Sequence, residues 1–229
     1  MKVSTRTWDH VSLREYIRQR PDDLEPAMSL LRAVGRATEI FSYHFYTARD
    51  ALSGILNVED AHDIENLKLV FGGSSNQDAF DAANLTCEAN LLACIHVTRN
   101  MFEHFAQLTN ELVISPKLSV DQCSLSKVRD RLPCSHLKNR VAELSESKSF
   151  KYVDALNNTT KHRLLVNHGV TIVNHENQVG STVGAFEYRG MSFPQRWVRD
   201  VLSDALEVKN SIIDCGNALN DECISNAKH

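Results

Sequence analysis

Apolar residues recur at helical spacing through most of this chain, and the longest such run covers Ala79 to Leu112. At 100° per residue, Leu91, Thr98, Met101, Phe102, Phe105, Leu108 and Leu112 share one broad face. An arc of roughly 140° gathers His96, Arg99, Asn100, Glu103, His104, Gln107, Asn110 and Glu111. One turn earlier the same arc holds Leu85, Ala89 and Leu92, so this helix is apolar all round at its start. The pattern predicts a long central helix that begins buried and then presents a polar sector to a cleft, a partner or solvent.

The flanking stretches follow the same logic. A short helix is predicted near Ser12–Arg20, and a longer one from Glu25–Pro26, since proline suits a first turn. Leu30, Leu31, Val34, Ile40, Phe41, Phe45, Ala48 and Leu52 carry that helix toward Leu56. Ala61–Val70 reads as a short amphipathic helix, Gly72–Asn76 as a loop, and Asp78 as a cap for the central helix. Ser115–Pro116 ends the central helix, and an irregular linker runs to about Ser124. Helices follow at Leu125–Arg131, Ser135–Ser145 and Ser149 to about Val166. The period then changes to two: Val170–Val173 and Thr182–Tyr188, separated by Asn174–Gln178 and Gly180, read as a β-hairpin. A last helix is expected from Pro194 to Cys223. The fold class is therefore mainly α, a helical bundle with a long central helix and one small hairpin. A polar extension over 1–26, one domain over 27–223 and a frayed tail over 224–229 are the expected divisions.

Composition alters this little. At 229 residues with 42% hydrophobic and 24% charged content, the chain is an ordinary globular one, and its net charge of −4 carries no global nucleic-acid signature. The charge is uneven, however. Thr47–Asn90 holds eight Asp/Glu against two Lys/Arg, whereas Lys127–Arg163 holds nine Lys/Arg against four Asp/Glu. A local basic patch able to meet a polyanion is compatible with that distribution. The six cysteines form no CxxC and no paired metal spacing. The opening residues lack an apolar signal region, and no apolar run approaches the roughly 18 residues a membrane span needs. The expectation is a cytoplasmic protein with reduced thiols and no membrane partner.

No P-loop, GxGxxG or GxSxG occurs. His96, Glu103, His104 and His162 offer metal donors, but without HExxH or repeated ExxH spacing we expect neither metal nor cofactor. Arg99-Asn100-Met101-Phe102-Glu103-His104 places a polar residue after an arginine and a histidine five positions on. Arg129 to His136 has similar spacing but is broken by Pro133, and Arg163 to His168 lacks the polar second residue. The Arg99–His104 stretch resembles the signature of the HEPN superfamily, helical bundles that include many metal-independent ribonucleases of toxin–antitoxin and phage-defence systems. The resemblance implies a homodimer acting on RNA, with an antitoxin or other protein as a further partner. Arg99 would neutralise the scissile phosphate, Asn100 would orient the site, and His104 would move the proton. Glu103, inside that motif, would take part in binding the substrate. Lys161, His162 and Arg163, closing the run Asn157-Asn-Thr-Thr-Lys-His-Arg, would add substrate contacts. The alternative is a non-enzymatic helical interaction or dimerisation module, with Arg99–Glu103 and Asn100–His104 as helix-stabilising i, i+4 pairs.

Overall fold

The structure, a computed structural model, describes residues 7–21 and 24–226. It is 68% helical, with eight α-helices and short β elements among the described residues, so the chain is mainly α with a hairpin ahead of the last helix. The helices are α1 (His10–Arg18), α2 (Glu25–Asp50), α3 (Ile64–Phe71), α4 (Gln77–Val113), α5 (Leu125–Arg131), α6 (His136–Glu146), α7 (Lys148–His162) and α8 (Val198–Asn226). The strands are β1 (His168–Val173), β2 (Gln178–Val183), β3 (Phe186–Tyr188), β4 (Met191–Phe193) and β5 (Arg196–Trp197). Two compact units emerge. The first comprises Met1–Ile40, Val97–Lys151 and Ala205–His229; the second comprises Phe41–His96 and Tyr152–Asp204. The divisions fall inside α2, α4, α7 and α8.

The first unit is all helix. Asp9 caps α1 by accepting from the amides of Val11 and Ser12, and Leu13 and Ile17 are fully buried. Within the stretch read as a polar extension, the apolar stripe thus has a destination. Residues 1–6 and 22–23 lie outside the described residues. Trp8 packs edge-on against Phe105 with ring centroids 6.0 Å apart, and its Nε1 donates to Asn220 Oδ1 at 2.9 Å. Asn220 Nδ2 donates in turn to the Asp9 carbonyl, and Asn217 Nδ2 to that of Thr7. These amides, one turn apart on α8, fasten the segment before α1 along that helix. Gly216 sits beneath the indole: a Cβ there would lie 2.2 Å from Trp8 Cδ2. Ser124 and Ser135 cap α5 and α6, which bury Leu125, Val128, Leu137, Val141 and Leu144.

The second unit combines helix with sheet. β2 is central, pairing antiparallel with β1 on one side and β5 on the other. β3 and β4 form a separate hairpin, in which Phe186 faces Phe193 across the strands with rings stacked at 4.8 Å. Leu56, Ala61, Leu69, Phe80 and Val179 form a local core, against which Val170 and Ile172 pack. Asn177, in the left-handed region at φ 49°, turns β1 into β2. Its side chain accepts from the Ala61 amide and donates to the Glu59 carbonyl, so the hairpin tip is latched to the loop before α3.

Several boundaries move. The second strand of the hairpin is Gln178–Val183 rather than Thr182–Tyr188, and Gly180 lies within it instead of breaking it. A Cβ at Gly180 would stand 3.7 Å from the Trp197 ring, so here glycine marks a close neighbour and not a turn. Phe186–Tyr188 belongs to the second hairpin, and α8 starts at Val198 because β4 and β5 take the residues around Pro194. Asp78 lies inside the first turn of α4, where it faces the positive end of the helix dipole, and is not the cap. α2 stops at Asp50, α3 is capped by Asp63, and α7 ends at His162. α8 continues to Asn226 through part of the stretch read as a frayed tail; residues 227–229 lie outside the described residues.

Candidate functional site

The apolar face of α4 is buried, with Leu91, Thr98, Met101, Phe102, Phe105, Leu108 and Leu112 each at most 8% exposed, but the helix does not begin buried all round: Leu85 and Ala89 are exposed. The polar sector divides into groups with different tasks. Asn110 is buried, donating to the Leu118 carbonyl and accepting from its amide, so it pins the linker after α4. His96 is exposed and belongs to the second unit, where its Nδ1 lies 3.3 Å from Asn157 Oδ1.

Arg99, Asn100, Glu103 and His104 are half-buried in the first unit. Arg99 Nη1 pairs with Glu103 Oε1 at 2.6 Å, and its guanidinium lies 4.4 Å from the Phe102 ring centre. This is the i, i+4 arrangement that holds an arginine along its own helix. His104 Nδ1 is enclosed without a hydrogen-bond partner among the described residues. α4 is an unbroken helix, so Arg99 and His104 leave its axis about 140° apart. No kink brings them together within one chain.

Lys161, His162 and Arg163 belong to the second unit and are exposed at the end of α7, where cations favour the negative end of the dipole. The fold adds a fourth residue that sequence reasoning missed, Arg189. The Arg163 guanidinium stands 5.3 Å from the Tyr188 ring centre and that of Arg189 stands 5.1 Å from it. Tyr188 itself is buried. Arg189 and Gly190 have φ of 51° and 77° and form the two-residue turn between β3 and β4, a geometry that favours Asn-Gly. An arginine held at positive φ costs about 1 kcal/mol, a cost of the kind that concentrates at functional positions. Among the described residues neither arginine has a carboxylate partner. The legible signal was Tyr188-Arg189-Gly190 between apolar residues: a turn dipeptide with a cation in its first position.

Among the described residues no three His, Cys, Asp or Glu side chains gather as a metal site requires. All six cysteines are free, and burial pushes the thiols of Cys87, Cys94, Cys215 and Cys223 upward, away from nucleophilic character. Burial lowers His168 to about 4, so it is neutral near pH 7, with neither ring nitrogen partnered among the described residues. No helix among the described residues is long and apolar enough to cross a membrane. Comparison of the chain with known protein families, with curated proteins and with solved structures finds no match.

Proposed function

We propose that this chain is an RNA-binding protein of HEPN-like type that takes the phosphodiester backbone on Lys161, His162, Arg163 and Arg189. One observation carries the reading: two guanidiniums are held against a single buried tyrosine ring, with no carboxylate to neutralise either among the described residues. Arginine forks in that setting are pre-organised for phosphate oxygens. The test is fluorescence anisotropy with single-stranded RNA across a salt series. Removing two phosphate contacts, in Arg163→Gln/Arg189→Gln, should flatten the dependence of log K on log salt by about 1.4. An unchanged slope would refute the assignment.

The α4 sector supports two roles for the same RNA-binding chain. His104, with an enclosed ring nitrogen unpartnered among the described residues, favours metal-independent cleavage in which Arg99 of one protomer and His104 of another meet across a two-fold axis. The Arg99–Glu103 pair favours a partner-facing surface in a homodimer or against an antitoxin. Incubating RNA with the protein in EDTA separates them. Cleavage lost in both Arg99→Ala and His104→Ala identifies the ribonuclease; binding without cleavage in the native protein identifies the interaction module.

A further inference from the structure

The second unit holds a cavity of about 530 Å³, within the range of small-molecule sites. We infer that it binds a small apolar monoanion, an acid with a hydrocarbon body and a single carboxylate. This site is separate from the basic cluster around Tyr188 and does not depend on the RNA reading.

The ligand class follows from the walls. Leu52, Leu56, Val179 and Leu202 supply apolar surface from the loop after α2, from β2 and from α8. Body contacts there are therefore hydrophobic. The charged groups at this cavity are Arg49, Asp50 and Arg199. Arg49 is already bound bidentately by Asp50, Nε to Oδ1 at 2.6 Å and Nη2 to Oδ2 at 2.7 Å, so that pair offers no net charge. Arg199 lies 5.0 Å from the Trp197 ring centre and donates to Gln178 Oε1, a neutral acceptor. Among the described residues no carboxylate pairs with it. The cavity therefore carries one uncompensated positive charge, which matches one carboxylate and not a polyphosphate. Ser181 adds a directional contact: it is 8% exposed, and among the described residues its enclosed Oγ has no partner other than the Cys87 thiol. The Cys87 thiol beside it remains protonated because burial raises it, so the interior is uncharged. A buried hydroxyl in that position is a ready donor to a ligand oxygen.

Isothermal titration calorimetry with 2-naphthoate and with decanoate tests the inference, with 2-naphthalenemethanol as the uncharged counterpart. The two acids distinguish an aromatic from an aliphatic body. At least one acid should bind more tightly than about 1 mM, and about tenfold better than its uncharged counterpart, 2-naphthalenemethanol or, for an aliphatic body, 1-decanol. Arg199→Gln, a substitution at an exposed position, should abolish that preference while leaving alcohol binding unchanged. The tryptophan-emission change on binding should disappear in Trp197→Phe. Failure of both acids to bind, equal binding of acid and alcohol, or an unaltered preference in Arg199→Gln would overturn it.

Discussion

Replacing Gly216 with alanine tests the packing of the first unit directly. Alanine is favoured over glycine inside a helix by about 1 kcal/mol, so on propensity alone the change stabilises α8. The indole of Trp8 reverses the sign. The new Cβ would lie 2.2, 2.4 and 2.6 Å from Trp8 Cδ2, Cε2 and Cε3, against the roughly 3.5 Å of an ordinary carbon contact. Three ring atoms are involved, so no rotamer of a flexible tip relieves the overlap; the ring must retreat by about 1 Å. Overpacking of that kind costs about 1–3 kcal/mol. The retreat also stretches the buried bond from Trp8 to Asn220, and leaving that acceptor unmet adds about 1–3 kcal/mol. Set against the propensity gain, the net loss is about 1–5 kcal/mol, read as a lower urea midpoint by far-ultraviolet circular dichroism. In a Trp8→Ala background the obstacle is gone, and Gly216→Ala should then raise the midpoint. A loss of equal size in both backgrounds would refute the reasoning, since it would place the cause in the helix and not in the ring.

Two further outcomes are expected. His168 titrates at about 4 in the folded chain against 6.5 unfolded, so unfolding near pH 5 takes up most of one proton. Its contribution to stability is present above pH 6.5 and is lost as the pH falls toward 4; urea midpoints over that window should fall less steeply in His168→Gln than in the native chain. Asn177→Gly keeps the left-handed turn but loses the latch to Glu59 and Ala61, whereas Asn177→Ala loses both. The stability order should be native, then Gly, then Ala, the last two separated by about 1 kcal/mol in chemical unfolding.

The helices were legible because each buries one face: Leu31 and Val34, Leu137 and Val141, Phe105 and Leu112 repeat at a spacing that only a helix turns into one surface. The strand boundaries were not. Gly180 reads as a turn in isolation, and only Trp197, seventeen positions away, explains a glycine inside β2. The candidate chemistry was half legible. Lys161–Arg163 stand together in the sequence, but Arg189 joins them through the turn into β4, a three-residue strand too short to carry a readable alternation. Trp8 and Gly216 carried no local hint of one another, since a pairing across 200 residues leaves no periodic trace.

That pairing also sets an order of events during synthesis. Trp8 and Asn220 are separated by 212 positions, and the first unit draws on an early, a middle and a late segment of the chain. Leu13 and Ile17 emerge with α1, well before the helix that the preceding segment will lie along. Loop closure of this length is entropically slow, and contacts of high sequence separation form late. The early helices of the first unit must therefore wait with their apolar stripes uncovered while the residues of α8 are still being added. Such a waiting period is when nascent apolar surface is most open to chaperones or to aggregation.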